Sequence, residues 1–215
     1  IETGDPRQFT SFEDFQNAYR RQFAWIRENR NAKAFIEERT LAELSPTAYA
    51  SALIDDCIEE GLSREDGGAR FKTHGVTGAG TSDAGDSLTA IKKLVFEDKT
   101  ITMDELCRAL SDNFEGHDEI YRMCCEAPKF GNDDDYADEQ TAFVCNVFAS
   151  ELEKQRSPLG AKVCANLSPM SGYVPLGRPV GALPSGRLAG TPLCDSMSPC
   201  AGTDLKGPTA VLKSV

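Results

Sequence analysis

The sequence predicts a helix-rich segment over residues 1–156 that gives way to a tail of loops and short strands over 157–215. The first reading rests on apolar residues that recur at spacings of three and four, the signature of amphipathic helices. It rests also on capping motifs that open several of those stretches. The second rests on composition: the tail holds 8 of the 11 Pro and 8 of the 18 Gly, and no helical period survives in it. A loop-rich stretch of that length is uncommon in a compact domain unless it is functional or packs on further structure.

Thr10-Ser11-Phe12-Glu13 opens the first helix as a capping box, and Phe12, Phe15, Tyr19, Phe23 and Ile26 form its apolar stripe. Ser45-Pro46 starts a second helix with Pro at its first position, Tyr49, Leu53, Cys57 and Ile58 facing inward, and Gly61 as its stop. Residues 64–87 are rich in Gly and small polar residues, as expected where a backbone turns or approaches something closely. Asp86-Ser87 caps the next helix, with Leu88, Ile91, Leu94 and Val95 inward. Thr102 and Glu105 form another capping box, in a helix that ends near Gly116. A short helix over about 117–126 is broken by Pro128. Acidic residues Asp133–Asp135 then stand at the start of a helix running to about Arg156, which suits the helix dipole.

The chain has 215 residues, 40% hydrophobic and 27% charged, enough for a sizeable core. No stretch approaches the 18 or so apolar residues of a membrane-spanning helix. The net charge of −11 argues against a nucleic-acid-binding face. No secretion signal is evident, which points to the cytoplasm. The first residue is Ile1, and the last run, Ala210–Val215, is apolar and β-like. Both ends read as cuts from a longer polypeptide. The eight Cys (57, 107, 124, 125, 145, 164, 194 and 200) lack C-x-x-C spacing and nearby His, so they read as reduced, mostly buried thiols.

Several motifs invite chemistry. Gly131–Asp135 resembles a calcium loop, but its acids are consecutive and the twelfth position from Asp133 is Val144; a helix cap accounts for it as well. Cys124-Cys125 reads as a redox pair or as buried thiols. His74 and His117 have no Ser or Cys partner in sequence and read as structural. The Gly75–Gly80 run lacks the Lys-Ser/Thr of a phosphate loop. Arg178, Arg187 and Lys206 stand near turns, as an anion site or as solvated charges.

Six stretches taken together resemble the glycyl radical enzymes, the pyruvate formate-lyase-like proteins. They are Thr3-Gly4-Asp5-Pro6-Arg7, Gly67-Gly68-Ala69-Arg70, the eight residues from Asp86 to Lys93, Ala127 to Asp134, Gly181 to Arg187, and Gly207 to Val215. The resemblance covers essentially the whole chain, and the six motifs stand in order. It is nearer to the dehydratase, decarboxylase and arylalkylsuccinate synthase branches than to pyruvate formate-lyase itself. General likeness favours the decarboxylase and synthase branches.

The resemblance implies an α/β fold, part of a ten-stranded β/α barrel wrapped by helices. It implies radical chemistry: a backbone glycyl radical oxidises a cysteine, whose thiyl radical takes a hydrogen atom from a small organic substrate such as an arylacetate, a diol or an arylalkane. No bound cofactor is implied for turnover. An activating enzyme with S-adenosylmethionine and an iron–sulfur cluster installs the radical, and the parent is expected to be an anaerobic, cytoplasmic homodimer. The Gly-Cys-Val-Glu-like stretch and the Arg-Val-x-Gly-Tyr-like loop of the family are absent from this chain, so no catalytic residue is carried over and the glycine radical domain is not included. The expected contribution is substrate-pocket wall: Val174 and Leu176, sharing one face of a strand over Tyr173–Gly177, and Thr81, Ser82 and Asp83 in the Gly-rich region. The alternative is a noncatalytic structural or interaction fragment that docks on a partner chain.

Overall fold

Ser11, not Thr10, caps the first helix: its hydroxyl accepts the Asp14 backbone N–H at 3.1 Å, one residue later than the expected capping box. The computed structural model describes residues 2–157, 159–168 and 171–215. The first helix, α1 (Phe12–Leu44), extends well past the expected stripe. No Gly or Pro interrupts those 33 residues, and the chain leaves the helix just before Ser45-Pro46.

The described residues form two compact units. The first comprises 20–76 and 148–166, and the second 2–19, 77–147 and 167–215.

In the first unit the expected second helix is two short ones, α2 (Ala48–Ser51) and α3 (Cys57–Glu60). Pro46 lies before the first of them. The break is at Asp56, which takes a left-handed φ of 76° and receives the Arg70 guanidinium at 2.9 Å. Cys57 is buried, whereas Tyr49, Leu53 and Ile58, expected inward, are exposed. Gly61 does stop α3, in the left-handed conformation. The Gly-rich region contains a strand, β1 (Thr73–Thr77), paired with a strand of the tail described below. Phe23 packs edge-on against Phe148, with ring centroids 5.9 Å apart. Ile26, the last residue of the stripe, is half exposed.

The second unit holds the main core. Helix α4 (Thr81–Ile91) begins five residues before the expected cap at Asp86-Ser87. A left-handed Gly80 turns the chain into it, and Asp86 lies buried in its interior. A π-helical turn, Lys92–Glu97, continues it. The Thr102/Glu105 capping box is present at the start of α5 (Met103–Ser111), which ends earlier than Gly116. Helix α6 (Asp118–Glu126) and helix α7 (Asp135–Glu153) follow near their expected places. Leu88, Ile91 and Leu94 are buried, and the last two pack with Leu106, Phe114 and Cys124, while Phe12 and Phe15 close one side against Phe96. Gly85 lets α4 approach α7: a Cβ there would lie 2.7 Å from the Thr141 Cα.

The tail contributes β2 (Lys162–Asn166), the partner of β1, and two short helices, α8 (Tyr173–Gly177) and α9 (Pro208–Ser214). The strand expected over 173–177 is thus a helix, and so is the β-like run at 210–215. Pro208 occupies the first turn of α9, where its missing N–H costs nothing. Among the described residues no helix is long and apolar enough to cross a membrane.

Candidate functional site

Thr81, Ser82 and Asp83 form the first turn of α4, and all three are buried. Each reaches the same tail segment. The Thr81 hydroxyl donates to the Ser196 carbonyl at 2.7 Å, and the Ser82 hydroxyl to the Ser198 carbonyl at 2.8 Å. The Asp83 carboxylate accepts the Cys194 backbone N–H at 2.6 Å and the Cys200 thiol at 3.4 Å. At 3% exposure, the Asp83 carboxyl is held by donors from one loop, Cys194–Cys200. These side chains are therefore occupied as a clamp.

Asp86 lies one turn further on and is fully buried. One oxygen accepts the Phe130 backbone N–H at 2.8 Å; the other, Oδ2, meets no ordinary donor. Burial pushes its carboxyl up to about 6, against the opposing pull of the Phe130 N–H and the Lys129 charge. Lys129 donates to the carbonyls of Cys124 and Ala127 at 2.7 and 2.8 Å, and burial lowers its pKa. The sequence reads Asp86 as a helix cap, and Lys129 enters it only within the Ala127–Asp134 motif; nothing near either residue in sequence announces these contacts.

Val174 and Leu176 lie on α8, 39% and 47% exposed. Residues two apart on a helix point in different directions, so they do not share a face as they would on a strand. Their segment and the start of α4 nonetheless flank one residue. The Leu193 N–H donates to the Tyr173 carbonyl at 3.3 Å, and the Leu193 side chain lies within 3.5 Å of a Cβ built on Gly80. The two segments singled out in the sequence are neighbours across residues 191–200.

Arg187 is neither an anion ligand nor a solvated charge. Its guanidinium donates to the carbonyls of Gly177 and Gly181 at 2.9 Å, of Pro192 at 3.2 Å, and of Thr191. It gathers the loop between α8 and Leu193 onto one planar fork. The acidic run is also accounted for: Lys213 pairs with Asp133 at 2.7 Å, and Asp134 accepts the Tyr136 N–H at 3.1 Å. His117 pairs with Asp112 at 3.0 Å and His74 with Glu38 at 2.6 Å. In the first unit, His74 and Glu38 line a cavity of about 370 Å³ together with Arg64 and Lys72. All eight Cys are free thiols; Cys57, Cys124 and Cys194 are buried and Cys125 is exposed, so "mostly buried" overstates their seclusion. No group of three or more metal-capable side chains is assembled among the described residues.

Relatives and solved structures match this chain in sequence and in fold. The trans-4-hydroxy-L-proline dehydratase of Clostridioides difficile is 39% identical over 100% of this chain and 27% of its own length. Its crystal structure with substrate bound superposes with a TM-score of 0.95 over the same shares. The isethionate sulfite-lyase of Bilophila wadsworthia (strain 3_1_6) is 39% identical over 100% of this chain and 26% of its own. A structure described for 1,2-propanediol dehydration in Roseburia inulinivorans matches with a TM-score of 0.94 and 40% identity, covering 100% of this chain and 28% of that one. The chain spans about a quarter of the length of the curated relatives it matches. The fold is that of part of a pyruvate formate-lyase-like barrel, as the sequence motifs imply. The family model described as "Pyruvate formate lyase-like" matches residues 1–177, and the chain belongs to that family.

Proposed function

We propose that this chain is a segment of a glycyl radical lyase that acts on a small organic substrate. The supporting observation is the joint match in sequence and fold: enzymes of this type superpose on all of it at 39–40% identity. The names of those relatives favour dehydration or a related elimination over arylacetate decarboxylation or arylalkane addition. In such a reaction a thiyl radical takes a hydrogen atom beside the leaving group, and the radical-bearing Cys and Gly would come from other parts of the polypeptide. No further cofactor is required for turnover on this reading. The radical would be installed by an S-adenosylmethionine and iron–sulfur activating enzyme, in an anaerobic cytoplasm and on a homodimer.

This segment's part is to shape wall and hold loops. Residues 157–215 would continue the same barrel domain as 1–156. Val174 and Leu176 remain the pocket-wall candidates because their side chains are available. Thr81, Ser82 and Asp83 act one step back, fixing the loop next to them. An apolar wall suits the chemistry because it keeps a radical from stray hydrogen donors.

The test is turnover by the intact polypeptide after anaerobic activation, with trans-4-hydroxy-L-proline, 1,2-propanediol, isethionate and an arylacetate offered in parallel. Product from one of the first three supports the elimination reading. Product from the arylacetate alone moves the assignment to the decarboxylases, and no product from an activated enzyme with any of them contradicts the proposed substrate class.

A further inference from the structure

The cavity of about 370 Å³ lies wholly within the first unit, between α1, the loop before β1, β1 itself and residues 157–161. Its size falls in the range of small-molecule sites, about 300–1,000 Å³. Three basic side chains line it, Arg64, Lys72 and His74, against one acidic side chain, Glu38. That surplus of positive charge stands in a chain whose net charge is −11.

The carboxylates close by are already engaged. Glu38 takes the His74 Nδ1 at 2.6 Å, which fixes the imidazole and turns Nε2 away from Glu38. Glu65 accepts the Arg64 Nε at 2.6 Å and the Thr47 hydroxyl at 2.5 Å. Asp66 pairs with Arg39 at 3.5 Å. Lys72 has no carboxylate partner among the described residues. Its ammonium is folded against the cavity wall: Nζ lies 3.5 Å from a Cβ built on Gly67, and the Leu159 Cβ lies 3.8 Å from the same point. Lys72 and His74 stand two residues apart at the start of β1, a spacing that puts both on one side of an extended chain. The rest of the lining includes Ile54, Leu159 and Phe71, and the Phe71 ring is 85% exposed.

We propose that this cavity binds a small organic acid, an anionic group joined to an apolar body. The anionic group pairs with the Lys72 ammonium, with Arg64 and His74 as further basic partners in the lining. Charge-assisted hydrogen bonds of this kind are the strong ones. The apolar body covers Phe71, Ile54 and Leu159, and takes the exposed ring out of water.

The test uses the intact polypeptide without radical activation, so its outcome does not depend on the lyase assignment. Benzoate is the probe, with benzamide as its uncharged counterpart and inorganic phosphate as an anion without an apolar body. Lysines are acetylated with an N-hydroxysuccinimide ester in the presence of each and mapped by mass spectrometry. Benzoate is expected to slow acetylation of Lys72 several-fold and to leave the remaining lysines unchanged, and neither benzamide nor phosphate is expected to protect Lys72. In calorimetric titrations, Lys72→Gln should weaken benzoate binding by about 10-fold or more. Equal acetylation of Lys72 with and without benzoate would overturn the proposal, as would benzoate binding that Lys72→Gln leaves unchanged. Protection by phosphate equal to that by benzoate would overturn the organic-acid assignment. A Lys72 that resists acetylation with no probe present would also overturn it, because the cavity is then filled by the rest of the polypeptide.

Discussion

Asp83 and Cys194, 111 residues apart in sequence, are joined by a 2.6 Å hydrogen bond from the Cys194 backbone N–H to Asp83 Oδ2. This contact ties the start of α4 to the tail that composition alone marks as loop. Replacing Asp83 with Ala leaves the Cys194 N–H and the Cys200 thiol without their acceptor. A buried polar group without a partner costs about 1–3 kcal/mol. Hydrogen exchange of the intact polypeptide should show the peptide over 191–205 deprotected by roughly 10-fold or more, with the α5–α6 core unchanged.

Asp86 sets a pH dependence. Its folded pKa of about 6 lies above that of an unfolded aspartate because burial disfavours the charge. The native state thus binds the extra proton. This group's contribution is fully present below about pH 4 and is lost as pH rises through about 6, a loss of about 3 kcal/mol. Asp86→Asn keeps an acceptor for the Phe130 N–H and removes the titration. Denaturant midpoints measured from pH 7 to pH 5 should rise in the wild type, and that part of the rise should vanish in the variant.

Gly85 is needed for the approach of α4 to α7. Elsewhere in a helix, Gly→Ala stabilises by about 1 kcal/mol. Here the added Cβ would meet the Thr141 backbone and side chain, with its Cα at 2.7 Å. Overpacking of this kind costs about 1–3 kcal/mol. Gly85→Ala should therefore lower the thermal midpoint, and a rise in a melting experiment would show that the helices can move apart.

Arg187→Lys keeps the charge and loses the fork. Lys has one ammonium where Arg187 reaches carbonyls of Gly177, Gly181, Thr191 and Pro192. Limited proteolysis should then cut within 178–192 several-fold faster than in the wild type. An unchanged rate would mean that the loop is held by its backbone contacts alone.

Local signals were legible and tertiary ones were not. The Thr102/Glu105 capping box, the stop at Gly61 and the acidic start of α7 depend on neighbours within a few residues, so pattern reading finds them. Asp86-Ser87 has the chemistry of a cap, so pattern reading puts the start of α4 five residues late. Its real partner, the Phe130 N–H, lies 44 residues away. Helices α8 and α9 were hidden by Pro and Gly, which weaken helix propensity but are tolerated in first turns and short elements. The sequence offers Asp83 as a pocket residue, but nothing near it announces Cys194 or Cys200. The resemblance in six ordered motifs supplied what periodicity could not, the barrel family to which the segment belongs.

The most direct measurement of the central claim is electron paramagnetic resonance of the intact polypeptide after anaerobic treatment with an S-adenosylmethionine-dependent activating enzyme. A stable organic radical that appears only with the activating enzyme, and persists until oxygen is admitted, is the expected result. No radical signal, under conditions that activate the Clostridioides difficile dehydratase in parallel with its own activating enzyme, would contradict it.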